Sequence, residues 1–243
     1  LISLGESETY QPQATLAQLE SFEIQRRIGS ETGTLVTFLT GLLQYKAQDY
    51  QSAVARFEQV AQSDDVSTFI GSYDLFFNLA SSYFHLRMYE QAIQNFGKAI
   101  EAKPQDADVY NNRAVAYGML EKYDQAIPDL DKAIELAPKD FASYTNRGNA
   151  KYAMGDYAGA IEDYSKAIEL NPEIGANYNN RGVALAGLNQ YESALQDYDR
   201  AIELGFNFAL VYKNRGIAYQ SLGKTAEAEA DFNKYEELTA QKP

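Results

Sequence analysis

Apolar residues recur along this chain in paired stretches, each with the spacing of one helical face. In residues 141–174, Tyr144, Gly148 and Tyr152 share a face with Arg147 and Lys151. Tyr157, Ala160, Ile161, Tyr164, Ala167 and Ile168 form a second such face. Gly155-Asp156 lies between them and can turn the chain, and Asn171-Pro172 ends the second stretch. The unit is therefore a helical hairpin. It returns every 34 residues: Tyr110, Tyr144, Tyr178 and Tyr212 keep that spacing, as do Ala126, Ala160, Ala194 and Ala228. Phe76, Leu79, Ala80 and Phe96 extend the register backward, and a weaker copy carries Gly41, Tyr50, Ala53 and Phe57.

A single hairpin cannot bury its apolar side, so neighbours must stack. The expected fold is all-α, an α-α superhelix of about six hairpins over 34–67, 73–106, 107–140, 141–174, 175–208 and 209–242. Five extra residues near Thr68–Ser72 offset the first repeat. Residues 1–13 are expected to be extended or poorly ordered, and 14–33 to form a leading helix. The last repeat has Tyr235 where others have Ala133, Ala167 and Ala201, and its polar second helix reads as a closing element. Pro128 is expected close to the first turn of its helix.

The period and its wording, with Asn-Arg before a Gly or Ala and an Ala-Ile pair in the second helix, resemble the tetratricopeptide repeat. The resemblance covers all six repeats. It implies a scaffold for protein–protein interaction, with the first helices lining an inner surface.

Composition narrows the chemistry. The 243-residue chain is 45% hydrophobic and carries a net charge of -13. No apolar run approaches the ~18 residues that direct membrane insertion needs. The acidic balance and the lack of a Lys/Arg run disfavour nucleic acid. Cysteine is absent and His85 is the only histidine, so a zinc site would need carboxylates and water for most of its ligands, and any His-dependent triad has one lone candidate. No catalytic residue, metal or cofactor is expected. The start at Leu1 suggests a processed product or part of a longer chain. The cytoplasm is the expected compartment, with a periplasmic or other extracytoplasmic one open if an upstream signal was removed.

Two polar residue types keep the period. Arg113, Arg147, Arg181 and Arg215 are each followed sixteen residues later by Asp129, Asp163, Asp197 and Asp231. Repeats one and two lack the arginine and the aspartate together, with Thr40/Arg56 and Leu79/Asn95 instead. That joint presence points to structural ion pairs between the two helices of a hairpin.

Asparagine precedes each of these arginines, at Asn112, Asn146, Asn180 and Asn214, and Asn78 takes the same place in repeat two. The resemblance puts these on the inner surface, similar to the asparagine ladder in the superhelical domain of O-GlcNAc transferases. An amide can both donate to and accept from one peptide unit of an extended ligand. First helices roughly 10 Å apart match two to three residues of extended chain. Phe77, Asn111, Thr145, Asn149, Asn179 and Lys213 are further groove candidates. The alternative for the asparagines is that they bond neighbouring backbone or one another and stiffen the array.

The carboxylate clamp of chaperone-binding relatives is missing, because its places read Phe77/Ser81, Asn111/Val115, Thr145/Asn149, Asn179/Val183 and Lys213/Ile217. With an acidic surface, the expected partner is an extended or helical segment of another protein, neutral to basic rather than acidic. A self-assembling scaffold forming homo-oligomers, or the interaction arm of a larger enzyme or membrane-associated protein, are the alternatives.

Overall fold

The computed structural model describes residues 30–63, 70–206 and 208–240. Among them are twelve α-helices and no strand. They divide between two units, Leu1–Leu120 and Glu121–Pro243. The first holds α1 (Ser30–Lys46), α2 (Tyr50–Ala61), α3 (Ser72–His85), α4 (Tyr89–Ala102) and α5 (Ala107–Met119). The second holds α6 (Tyr123–Leu136), α7 (Phe141–Ala153), α8 (Tyr157–Leu170), α9 (Gly175–Gly187), α10 (Tyr191–Glu203), α11 (Ala209–Ser221) and α12 (Thr225–Ala240). Residues 30–33 open α1. The rest of the expected leading helix, with segment 1–13, lies outside the described residues, as do Thr68 and Phe69 of the insertion.

Each unit is a stack of antiparallel hairpins. In the first, α1 packs on α2 and α3 on α4; in the second, α7 packs on α8, α9 on α10 and α11 on α12. First helices also adjoin one another within a unit, α1 with α3 and α9 with both α7 and α11. Small residues allow this closeness. Ala53, Ala92, Ala160, Ala167, Ala194 and Ala201 are fully buried between helices. At Gly41, Gly148, Gly182 and Gly216 an aromatic ring of the partner helix fills the space: a Cβ at Gly148 would lie 2.7 Å from Tyr164 Cε1, and one at Gly216 would lie 2.7 Å from Phe232 Cε1.

Local signals set the helix limits. Asp49, Asp140 and Asp156 cap α2, α7 and α8 by accepting backbone N–H bonds. The first helix of each hairpin is followed by a residue with positive φ: Gln48, Arg87, Glu121, Gly155, Asn189 and Gly223. At Arg87 the motif is complete, with its N–H donating to Phe84 O (2.9 Å) and that of Met88 to Tyr83 O (2.9 Å).

A left-handed conformation costs a non-glycine residue about 1 kcal/mol or more. Arg87 has φ 60° and is exposed, without an ion pair among the described residues. Arg87→Gly should therefore stabilise the protein by roughly 1 kcal/mol and raise the melting temperature by ~2–4 °C. A thermal melt with an unchanged or lower midpoint would refute the strain at this turn.

Helix α6 starts at Tyr123, so Pro128 is its sixth residue, just past the first turn. It removes the N–H that would reach the Asp124 carbonyl, and Asp124 is exposed, so water can serve that group. In α12 only Ala228 and Asp231 are buried, which leaves most of this helix's surface in solvent.

Candidate functional site

The arginines of α7, α9 and α11 each hold the paired aspartate of the next helix with two bonds. Arg147 donates from Nε to Asp163 Oδ2 (2.9 Å) and from Nη2 to Oδ1 (2.6 Å). Arg181 grips Asp197 at 2.8 and 2.7 Å, and Arg215 grips Asp231 at 2.8 and 2.7 Å. All three aspartates are buried. The planar guanidinium matches the carboxylate, and the bond to the aspartate holds each arginine above its ordinary pKa, against the opposing effect of burial. Arg113, on α5 of the first unit, lies 6.0 Å from the Tyr110 ring centroid, while Asp129 is buried on α6 of the second.

A third arm of each arginine had not been read from the sequence. Nη1 of Arg147 donates to Asp131 Oδ1 (2.6 Å), that of Arg181 to Ser165 Oγ (3.1 Å) and that of Arg215 to Asp199 Oδ1 (2.6 Å). These acceptors stand on the second helix of the preceding hairpin, at the 34-residue period. One side chain thus ties three helices. Gly97 takes the corresponding place in repeat two and brings no side chain to it.

The asparagines behave unequally. Asn78 donates to the Asp74 carbonyl of its own helix (2.7 Å). Asn180 donates to Asn149 Oδ1 (3.3 Å), which also accepts from the Tyr164 hydroxyl (2.8 Å), and Asn179 donates to Asn180 Oδ1 (3.2 Å). This amide chain links α8, α7 and α9. Asn149 is exposed, and its Nδ2 has no acceptor among the described residues. Asn146, beside it on α7, is half-buried and also partnered. Asn214 is half-buried and has no hydrogen bond among the described residues. Thr145 Oγ1 lies 3.0 Å from Phe141 O and 2.9 Å from Asn177 Oδ1. Turning the Asn177 amide over lets its unpartnered Nδ2 donate to Thr145 while the hydroxyl serves Phe141. Thr145 is thereby committed to joining α7 and α9. Lys213 is exposed on α11 with Nζ 5.6 Å from the Tyr235 ring centroid, and Leu210 and Ile217 on the same helix are 62% and 43% exposed.

In the first unit, Asn112 lines a cavity of about 250 Å³ with Tyr45, Phe77, Phe84, His85 and Phe96. His85, at the end of α3, stacks on Tyr50 with centroids 4.3 Å apart. Asn111, the neighbour of Asn112 on α5, is half-buried and also partnered.

Sequence models of the tetratricopeptide repeat match residues 107–140, 141–174 and 177–207, then 209–242 and 36–64. A further TPR repeat model matches 80–121. The chain belongs to the tetratricopeptide-repeat family. A search of curated proteins returns no match. Among solved structures it is similar to a tetratricopeptide repeat protein from Parabacteroides merdae ATCC 43184, at 18% identity and TM-score 0.69, over 93% of this chain and 86% of that one. It is also similar to MamA from Desulfovibrio magneticus RS-1, at 19% identity and TM-score 0.67, over 71% of this chain and 98% of that one. Another MamA structure gives 23% identity and TM-score 0.63, over 68% and 94%. At these identities the likeness is one of fold.

As a tetratricopeptide-repeat array, the chain is a protein-interaction scaffold. No described helix is long and apolar enough to cross a membrane, and no group of His, Asp and Glu among the described residues could hold a metal ion. The first-helix faces carry the features suited to a ligand: amides in α7, α9 and α11, and the ring-lined cavity beside α3. The sequence names Phe77 and Asn112 singly as groove residues, but not that Tyr45, Phe84 and Phe96 close a cavity around them.

Proposed function

We propose that the first-helix faces hold a segment of a partner protein, so that the chain acts as an adaptor. The observation that carries this reading is the amide chain of the second unit. Two donors, Tyr164 and Asn180, converge on one amide atom of Asn149 and fix its orientation. Asn149 is exposed, and its other amide atom has no protein partner among the described residues. An oriented, unsatisfied amide suits a backbone peptide group and carries little preference for side chains. Asn214 offers the same group on α11, next to exposed Leu210 and Ile217. With a net charge of -13, a neutral to basic segment with some apolar side chains fits better than an acidic one.

The test compares the native chain with a variant carrying Asn149→Ala, Asn180→Ala and Asn214→Ala, matched for helicity and melting temperature. Both are used as bait in the native lysate. A partner retained by the first and lost from the second supports the reading. The same partner on both would move the site away from these amides. Recovery of the chain alone would favour a self-assembling scaffold.

A further inference from the structure

We infer that the cavity of the first unit is an anchor pocket: it takes one aromatic or large aliphatic side chain of a partner segment that carries a lysine or arginine within about three residues of that anchor. This rests on the reading above and assigns the groove a sequence preference that the amides alone do not give.

The lining chooses the anchor. Tyr45, Phe77 and Phe84 are half-buried, so each leaves apolar ring surface to water, while Phe96 closes the floor at 1% exposure. Phe77 meets Phe96 edge-on, with centroids 6.1 Å apart, which fixes the wall. The polar groups around it are largely committed: Ser81 Oγ donates to Phe77 O (2.8 Å), and Tyr45 Oη lies 3.4 Å from His85 Nε2. Asn112 is the polar group left at the wall. At about 250 Å³ the cavity is smaller than the ~300–1,000 Å³ of drug-sized ligand sites and suits a single large side chain.

The rim chooses the flank. Tyr73 stacks on Phe77 at 5.6 Å and 16°, and it carries the cavity wall toward a group of carboxylates. Its hydroxyl donates to Asp106 (3.0 Å). Burial, that bond, and then the charges of Asp106, Asp108 and Asp74 raise the Tyr73 pKa. Lys103 answers one of them, at 2.6 Å from Asp106, and lies 4.8 Å from the Tyr73 centroid. Asp74 and Asp108 are exposed and make no ion pair among the described residues. Each stands in the first turn of its helix, where the helix dipole already favours a carboxylate, so their presence alone assigns nothing. Their place does: Asp74 is one turn before Phe77 and Asp108 one turn before Asn112, both on the cavity wall. One turn is about 5.4 Å, a distance covered by two residues of extended chain. A cation two or three residues from the anchor therefore reaches this rim.

The experiment pans a phage-displayed library of random dodecapeptides on the full chain and measures the enriched peptides by fluorescence polarisation. The expected selection holds an aromatic or large aliphatic residue with Lys or Arg close by. Val115 and Ser81 also line the cavity, and filling it by Val115→Phe, or independently by Ser81→Phe, should weaken these peptides about tenfold or more. Asp74→Lys with Asp108→Lys should weaken them by a smaller factor that shrinks as salt rises. Circular dichroism screens each variant for retained fold, and two filling positions guard against one failing to fold. Enriched peptides without an apolar anchor, or with acidic flanks, would overturn the pocket. Affinity that survives both fillings but falls with Asn149→Ala and Asn180→Ala would overturn the pocket and leave the adaptor reading standing. An empty selection would overturn both. A dimer seen by sedimentation and abolished by Val115→Phe would replace the partner segment with a second copy of the chain and overturn the assignment.

Discussion

Arg181→Leu is expected to destabilise the protein by about 3–5 kcal/mol, and adding Asp197→Leu to return much of that loss. Asp197 is 5% exposed, and both its oxygens are held by Arg181. Without the guanidinium, a buried carboxylate keeps its desolvation cost and loses its compensation. Ser165 loses a donor as well. Replacing both charged partners by leucine removes the uncompensated charge and adds apolar contact in the hairpin seam. Arg147→Leu makes an internal control. Lys151 Nζ stands 2.8 Å from Asp163 Oδ2, so Asp163 keeps a cation when Arg147 is lost. The order of urea midpoints should be native, then the Arg147 single variant, then the Arg181 single variant, with the Arg181/Asp197 double variant above the Arg181 single. Equal midpoints for the Arg181 single and double variants would refute an energetic coupling. Because stability in a repeat array is shared between neighbours, the comparison is best made on the full chain.

These arginines also show where sequence reading stops. The Arg–Asp spacing is legible because both residues recur together, and two repeats lack both. The bond from Nη1 to the preceding hairpin is not, because its acceptor varies as Asp131, Ser165 and Asp199, and a glycine, Gly97, stands at that place in repeat two. Helix existence follows from the period, since each hairpin repeats the same apolar spacing. The positive φ at Arg87 and Glu121 does not, because stacking fixes the turn whichever residue stands there. The asparagines are legible as a column but not as individuals. An amide takes the nearest partner, and Asn78 finds one in its own helix while Asn180 finds one on α7. The cavity was not legible because a repeat position names each ring singly, while the space enclosed by Tyr45, Phe77, Phe84 and Phe96 depends on how the helices pack.

The second large effect concerns Gly182. A Cβ there would lie 2.8 Å from Tyr198 Cε1 and 3.1 Å from Cδ1, and the Tyr198 ring is 1% exposed. A buried ring cannot swing into solvent, so the helices must part or the ring must leave its rotamer. Gly182→Ala should therefore cost about 1–3 kcal/mol, despite alanine's better helix propensity of roughly 1 kcal/mol. Tyr198→Leu alone should also cost ~1–3 kcal/mol, because it opens space beside the glycine. The double variant recreates the combination written in repeat three, Ala114 with Leu130. Its loss should be clearly smaller than the sum of the two singles, since the added methyl fills part of the space the ring vacates. Repeat two shows how far this can bend. It places Ala80 sixteen residues before the buried Phe96, so alanine with an aromatic is tolerated where the helices adjust. Urea denaturation of the four proteins measures the coupling. Strict additivity would mean that helix separation, rather than the fit of ring into glycine, sets the packing of α9 on α10.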